Sequence, residues 1–353
     1  MAVLAVQEQG VTIDVHNDLL RVLKSGRPIV SRHVDEVTLV EVFGSVELTA
    51  RARKTLLSKG IDTVFMTLGG KYLGRLLAAE SSNASRRAAQ YRFLGEPERV
   101  LSVARCVVET KLRNQRALLL RVRRSHMEHA APAALAGLRH LIERVADVDD
   151  LNVLRGIEGQ GAKLYFEGFG AAILNPVFSF KGRNRRPPKD PVNACLSFGY
   201  TLLLTRVESA VRRAGLDPYL GALHDPGRGK PSLCLDLMEV FRPAVVDRLV
   251  LRLLNRRQLT PDDFIDPNAH VGEVSAPPDV ELDESEKVPN AVFLGPVGRP
   301  VMLREMARVW REPQRYEPDG KQLTLGAIVS REASQLARLF EGTCDRFVPY
   351  SLR

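Results

Sequence analysis

Two glutamates, one aspartate and one histidine lie in segments whose neighbours are apolar and have the spacing of helices. They are Glu158, Glu239, Asp236 and His224. Acids in such surroundings are costly unless they are paired, protonated or bound to a metal. Carboxylates with one imidazole suit Mg²⁺ or Mn²⁺ better than zinc, and a metal held in this way can polarise a phosphoryl oxygen. The residue types therefore point to metal-assisted chemistry on a phosphodiester.

Each of these signals also has a structural explanation. A lone histidine such as His224 is more often a structural residue than a ligand. Asp236 and Glu239 are three residues apart on a predicted helix and share a face, which is common on solvated helices. Here the surrounding helix is apolar nearly all round, which favours a cleft. The glycines near Glu158 indicate either a close approach to the backbone or a helix crossing; they are Gly156, Gly159 and Gly161.

The charge balance favours a polyanionic partner. The chain has 353 residues, with 51 Lys and Arg against 42 Asp and Glu, which gives a net charge of +9. Such an excess is typical of proteins that bind nucleic acid, although a generic basic protein would also show it. Three basic residues near the acids could offset phosphate charge: Lys163, Arg228 and Lys230.

Cysteine usage and the N-terminus indicate a cytoplasmic protein without a membrane anchor. None of the four cysteines belongs to a CxxC pair, so reduced thiols are expected rather than a zinc site or disulfides. The N-terminal residues turn polar by Gln7, which argues against a signal peptide. No stretch reaches the length of a membrane span.

The sequence predicts a strand-rich first part followed by a larger helical part, an α+β fold. Alternation and glycine punctuation predict strands at 11–16, 28–30, 39–43 and 63–68. A short helix is predicted between Thr49, as N-cap, and Gly60, as its stop.

From residue 85 onward, helical spacing dominates. It predicts helices over 86–124, 131–148, 151–169, 192–214, 232–255 and 325–340. Three other segments differ. Residues 181–189 form a basic loop, residues 271–289 form an acidic, passive insertion, and residues 292–303 are predicted to form a small hairpin around Gly295 and Gly298.

Several of these motifs, taken in order, resemble one family. They are RGIEG at 155–159, GALH at 221–224 and SLCLDLMEVFRP at 232–243, together with GSVELT at 44–49 and GIDTVF at 60–65 in the first part. The chain is similar to the CRISPR-associated integrase/endonuclease family that is common to CRISPR adaptation systems. The resemblance covers nearly the whole chain.

This resemblance implies an architecture and an activity. It implies an N-terminal β-sandwich-like dimerisation domain over 1–84 and an α-helical catalytic domain over 85–353. Members of the family form homodimers and assemble with a small ferredoxin-like adaptation partner. They insert prespacer DNA into the CRISPR array, the prespacer 3′-hydroxyl attacking a phosphodiester with the help of Mg²⁺ or Mn²⁺.

The resemblance also implies roles for individual residues. It makes Glu158, His224 and Glu239 metal ligands and Asp236 an accessory acid close to the metal. The family often has Asp where this chain has Glu239. Tyr165 either stacks on a base near the site or stays in the core. Further candidates for phosphate contacts are Lys181, Arg183, Arg185, Arg186, Arg228 and Lys230.

Two other functions remain open at this point. A metal-dependent nuclease for branched DNA in repair would share the same active-site residues. A non-catalytic, basic DNA-binding scaffold would need none of them.

Overall fold

The structure is a computed structural model, and it describes residues 2–79, 83–125, 131–184, 187–227, 229–266, 291–318 and 320–352. Strands dominate up to Leu76 and helices dominate from Ala84 onward. The predicted α+β fold class, with a strand-rich part before a larger helical part, is confirmed. The division into domains at residue 84 stays a prediction. The predicted acidic insertion at 271–289 lies outside the described residues.

Two sheets form the first part. Their strands are β1 (Ala2–Val6), β2 (Val11–His16), β3 (Leu19–Lys24), β4 (Arg27–His33), β5 (Val37–Phe43), β6 (Val46–Leu48), β7 (Asp62–Met66) and β8 (Tyr72–Leu76). One sheet has the order β1-β5-β7-β8 and the other β4-β3-β2-β6. Alternating side chains of β2 and β3, including Ile13 and Leu20, are buried in one cluster with Val40 and Val42 of β5. The sheets therefore pack face to face, as the predicted sandwich requires.

Turn chemistry sets the register of the second sheet. The β2–β3 connection is Asn17-Asp18 and the β3–β4 connection is Ser25-Gly26, and all four residues have positive φ. Two-residue loops in this left-handed conformation match the natural twist of paired strands. These hairpins keep the apolar side of β2 and β3 toward the other sheet.

The short helix α1 (Ala50–Ser58) confirms its prediction in detail. The Thr49 hydroxyl accepts a hydrogen bond from the Ala52 amide, which is N-cap geometry. Gly60 has a φ of +64°, a conformation that favours glycine after a helix.

The second part consists mainly of helices. They are α2 (Ala84–Leu94), α3 (Pro97–Ser125), α4 (Pro132–Val145), α5 (Leu151–Ala171), α6 (Pro191–Arg213), α7 (Ser232–Arg242), α8 (Arg248–Asn255), α9 (Gly298–Arg311) and α10 (Leu325–Phe340). The predicted 86–124 helix is divided at Gly95 and Pro97. The predicted 232–255 helix is interrupted by a π-helical turn, Pro243–Asp247, since Pro243 lacks an amide hydrogen for the α-helical pattern.

The predicted hairpin at 292–303 is wrong. Short strand β10 (Phe293–Leu294) pairs instead with β9 (Phe264–Ile265), and the residues from Gly298 onward form α9. Met302, Met306 and Val309 are buried at helical spacing, which outweighs the turn signal of the glycines. A hairpin does occur later, between β11 (Pro313–Tyr316) and β12 (Lys321–Thr324).

Buried ion pairs fasten the strand-rich part to α6. Arg206 donates two hydrogen bonds to Glu41 of β5, at 2.8 and 3.0 Å. Arg75 of β8 pairs with Asp62 and lies 3.0 Å from Glu208 of α6. Separating the two parts would leave these desolvated charges unpaired. The orientation of the strands against α6 is therefore fixed by charge as well as by packing.

The cysteines and the helices bear on two expectations from the composition. The four cysteines are free thiols, as predicted; Cys195 and Cys234 are buried, while Cys106 and Cys344 are partly exposed. None of the helices in the described ranges combines the length and the apolar composition needed to cross a bilayer.

Candidate active site

The carboxylates of Glu158 and Glu239 meet at one ammonium group, that of Lys111. Lys111 comes from α3, Glu158 from α5 and Glu239 from α7. Lys111 Nζ contacts Glu158 Oε1 and lies 2.7 Å from Glu239 Oε2. The side chains of Lys111 and Glu239 are only 5% and 3% exposed, against 28% for Glu158. Three helices thus bring the acids together around one cation, and the cluster opens to the surface at Glu158.

A second cation, Arg242, contacts the other oxygen of the Glu239 carboxylate. Arg242 Nη2 lies 3.2 Å from Glu239 Oε1, and the Arg242 guanidinium lies 4.6 Å from the centre of the Tyr200 ring. Burial alone would raise the pKa of the Glu239 carboxyl, but the charges of Arg242 and Lys111 outweigh burial and lower that pKa to about 2. The Glu239 carboxyl is therefore ionised at neutral pH.

His224 is held with one ring nitrogen toward Glu239. Its Nδ1 atom lies 2.7 Å from Asp236 Oδ1, and its Nε2 atom lies 3.9 Å from Glu239 Oε1. Asp236 also accepts hydrogen bonds from the backbone amides of Ala222, Leu223 and His224, at 2.6, 2.9 and 3.0 Å. Because Nδ1 is engaged by Asp236, Nε2 is the ring nitrogen that faces the cluster.

Asp236 is held in place by several hydrogen bonds, and its role as an accessory acid close to the metal stays a prediction. Both of its oxygens are occupied by the 222–224 backbone and by the imidazole, so Asp236 orients His224. Gly221 is necessary for this arrangement, since a Cβ atom there would overlap Asp236 Oδ2 and the backbone at Ser232 and Leu233. The GALH motif is thus a turn folded around one buried carboxylate.

The glycines of α5 have two different roles. A Cβ atom on Gly161 would overlap the Leu112 side chain of α3, so this glycine permits the helix crossing. Gly156 and Gly159 are exposed, and a Cβ atom on either would meet nothing within 4 Å. These two leave bare helix surface on the part of α5 that carries Glu158.

Tyr165 is not available for stacking on a base. Its side chain is fully buried, and its hydroxyl donates a 2.6 Å hydrogen bond to Asp247. Tyr200 donates to the other Asp247 oxygen at 2.5 Å. Of the two predicted alternatives for Tyr165, the structure supports the core position and corrects its assignment to DNA binding.

The structure describes only some of the residues that were predicted to bind phosphate. Three of them are exposed in the structure: Lys163, Lys181 and Lys230. Another three lie outside the described residues: Arg185, Arg186 and Arg228.

Arg183 is half-buried and engaged within the protein. Its guanidinium donates hydrogen bonds to Asn193 Oδ1 at 2.7 Å and to Ser197 Oγ at 3.0 Å. It also lies 5.4 Å from the centre of the Tyr200 ring. Arg183 therefore fastens the start of the basic loop to α6, which differs from the DNA-binding role predicted for it.

The sequence patterns did not single out Lys111 or Arg242. Lys111 falls four residues after Val107 and three after Val108, on the buried stripe of α3. A lysine on such a stripe is a signal for a buried counter-charge. Arg242 lies three residues after Glu239, a spacing that permits an ion pair on one helix face.

The cluster contains the donor atoms of a divalent-cation site, but its side chains are not arranged as metal ligands. Among the residues that the structure describes, no group of three or more His, Cys, Asp and Glu side chains is arranged to hold a metal ion. Two carboxylates already converge on one positive charge, and the His224 Nε2 atom faces one of them. This donor set fits Mg²⁺ or Mn²⁺. Metal ligation by Glu158, His224 and Glu239 stays a prediction.

The fold is shared with two solved structures of known type. A casposase bound to an integration product superimposes with a TM-score of 0.82 at 23% identity, over 100% of this chain and 95% of the casposase chain. A Cas1 protein from Thermotoga maritima superimposes with a TM-score of 0.77 at 23% identity, over 97% of each chain. At this level of identity the likeness establishes the fold alone.

Sequence comparison identifies the family. The chain is 36% identical over 321 residues to "CRISPR-associated endonuclease Cas1 2" of Rhodospirillum rubrum, which covers 88% of this chain and 87% of the relative. It is 33% identical over 348 residues to "CRISPR-associated endonuclease Cas1 3" of Thermus thermophilus, which covers 99% and 94%. The family model for CRISPR associated protein Cas1 matches residues 4–273. The predicted resemblance is confirmed: the chain belongs to the Cas1 family.

Proposed function

We propose that the protein is a metal-dependent DNA integrase and endonuclease of CRISPR adaptation. It inserts prespacer DNA into the CRISPR array by attack of a DNA 3′-hydroxyl on a phosphodiester. The observation that carries this proposal is the convergence of Glu158 and Glu239 on one cationic centre, with His224 facing it. The relatives named above are called endonucleases, and the casposase is bound to an integration product.

In this proposal, Glu158, His224 and Glu239 hold Mg²⁺ or Mn²⁺. The bound ion supplies polarisation of the phosphoryl oxygen. Asp236 keeps His224 Nδ1 engaged, so that Nε2 is presented as the donor. Arg242 keeps the Glu239 carboxyl ionised.

The DNA backbone approaches the exposed side of this cluster. Gly156 and Gly159 leave room beside Glu158 for a phosphodiester, since nothing lies within 4 Å of their Cβ positions. Exposed lysines at 163, 181 and 230 supply phosphate contacts, which give strong salt dependence and little sequence specificity.

The proposal includes assembly. We expect a homodimer that binds a small ferredoxin-like adaptation partner and works in the cytoplasm. This chain superimposes on one chain of a solved Cas6-RT-Cas1–Cas2 complex with a TM-score of 0.79 at 23% identity, over 99% of this chain and 36% of that chain. That assembly contains a Cas2 component, which is the kind of partner that we propose.

The test is a joining assay with Mn²⁺, a duplex that ends in a 3′-hydroxyl, and a supercoiled plasmid that carries a CRISPR array. Glu158→Ala should lower the amount of joined product by at least about 100-fold, because it removes a carboxylate from the charged centre. DNA affinity should change less than about twofold, because phosphate contacts supply it. Glu167→Ala, an exposed acid on the same helix, is the matched control and should join DNA normally.

Other outcomes identify the other candidate functions. Joining by Glu158→Ala at the wild-type rate would contradict the site assignment. Cleavage by the wild type without any joined product would favour the nuclease for branched DNA. If Glu158→Ala and His224→Ala leave every activity of the wild type unchanged, the protein is a DNA-binding scaffold.

A further inference from the structure

Lys111 occupies the position between the two carboxylates that are proposed to bind metal. We propose that its ammonium is the resident cation of the metal-free site, which holds Glu158 and Glu239 together until a divalent ion displaces it. This inference rests on the proposed divalent site and concerns a residue to which the proposed chemistry gives no role.

Burial explains why the ammonium needs both acids. The Lys111 side chain is 5% exposed, and an unpaired lysine would be expensive at such a position. Its Nζ atom contacts Glu158 Oε1 and lies 2.7 Å from Glu239 Oε2. Both oxygens are therefore held at the same ammonium, and the deeply buried Glu239 carboxylate relies on this charge for part of its neutralisation.

Charge balance separates Lys111 from the other cation of the cluster. Lys111 and Arg242 together neutralise Glu158 and Glu239. Asp236, beside His224, adds a third negative charge, so the three carboxylates can balance a divalent ion and one basic group but not a divalent ion and two. Arg242 approaches Glu239 from the Tyr200 side, where its guanidinium packs on the ring at 4.6 Å. Lys111 is therefore the cation that has to give way.

Space leads to the same conclusion. Divalent ions bind carboxylate oxygens at about 2.0–2.6 Å, so an ion between Glu158 and Glu239 would take the place of the ammonium. The lysine side chain is a flexible four-carbon stem that can swing aside. Glu158 is 28% exposed against 3% for Glu239, so the cluster is open on the Glu158 side.

The test measures Mn²⁺ binding and thermal unfolding in Lys111→Met. Without the competing ammonium, the Kd for Mn²⁺ from titration calorimetry should fall about tenfold, equivalent to about 1.4 kcal/mol. In EDTA the melting temperature should fall by roughly 5 °C, because two carboxylates lose their shared partner. Saturating Mn²⁺ should restore most of this loss and should stabilise the wild type much less.

Two further variants serve as controls. Lys111→Arg keeps the positive charge and should bind Mn²⁺ no more tightly than the wild type does. Arg113→Gln removes one charge from the exposed side of the same helix, where Arg113 pairs with Glu109, and should leave the Kd unchanged. If Lys111→Met does not fold in EDTA, Lys111→Gln is purified with Mn²⁺ and the ion is then removed by dialysis. Its Kd for Mn²⁺ and its melting temperature are compared with those of the wild type.

The inference is overturned if Lys111→Met binds Mn²⁺ with the wild-type Kd, or if Mn²⁺ fails to restore its melting temperature. Such a result with normal DNA joining by the wild type leaves the proposed function standing. Conversely, tighter Mn²⁺ binding by Lys111→Met without any joining by the wild type would support the inference and contradict the function.

Discussion

Two buried acids, about two turns apart on one helical segment, have different surroundings. Glu239 on α7 faces the cations Lys111 and Arg242, while Asp247, at the end of the π-helical turn, accepts hydrogen bonds from two tyrosine hydroxyls. Both acids are fully buried. Burial raises the pKa of Asp247 to about 6 in spite of its hydrogen bonds and the charges of Arg242 and Arg183, whereas the closer contacts with Arg242 and Lys111 lower that of Glu239 to about 2.

Burial alone therefore does not identify a candidate active-site acid. The Glu239 cluster combines fixed charge with an opening to the surface through Glu158 and His224, whose side chains are 28% and 35% exposed. The Asp247 cluster is closed, and its tyrosines belong to the core. Charge together with access therefore distinguishes the site from the scaffold.

The largest effect is expected for Glu239→Gln. The change leaves Arg242 without its carboxylate partner and Lys111 with only Glu158, so the free energy of unfolding without metal should fall by about 3 kcal/mol. DNA joining should fall by at least about 100-fold. Urea unfolding in EDTA and the joining assay measure the two effects.

Glu332→Gln is the matched control for this variant. Glu332 is fully buried, burial raises its pKa well above 4.5, and its carboxyl accepts a hydrogen bond from the Tyr350 amide. The same substitution there should cost less than about 1 kcal/mol and leave joining intact. Equal losses of stability in the two variants would remove the distinction between a buried acid held by two cations and one held by a backbone amide.

An intermediate effect is expected for Asp247→Asn. Because the folded-state pKa of about 6 exceeds the ordinary 3.8, the folded protein binds more protons than the unfolded chain between these values. The free energy of unfolding of the wild type should therefore fall as pH rises through this window, by on the order of 3 kcal/mol from this group. Asp247→Asn should lack this contribution. A stability difference between variant and wild type that stays constant with pH would contradict the assignment.

The smallest effect is expected for Tyr165→Phe. Loss of one hydroxyl donor to Asp247 should lower the free energy of unfolding by about 1 kcal/mol. DNA affinity should not change, because the ring is buried. Tyr200→Phe, which removes the other donor, is the control for stability. A fall in DNA affinity at unchanged stability would place the Tyr165 ring against a base after all.

Local rules predicted most of the fold. The α1 cap at Thr49, the stop at Gly60 and the strand at 11–16 follow from short-range chemistry, and the structure confirms them. The prediction of a hairpin at 292–303 was wrong because it relied on two glycines as a turn signal. The residues from Gly298 onward form α9, since their apolar side chains are buried at helical spacing.

The site was less predictable, because it depends on contacts between distant helices. Tyr165 lies about two turns along α5 from Glu158, and over that distance the helix passes from the open side of the cluster into the core. Lys111 carried a local signal on α3, yet only the fold shows that its partners are Glu158 and Glu239. A resemblance in motif identified the acids but could not reveal the lysine between them.

The Arg206–Glu41 and Arg75–Glu208 pairs have a geometric consequence. They join the strand-rich part rigidly to α6, and α6 packs directly on α7, which carries Glu239. A partner that docks on the sheets is thereby placed at a set distance and angle from the carboxylates. In the proposed homodimer, if the sheets form its interface, this rigid connection would also fix the spacing between the two carboxylate clusters.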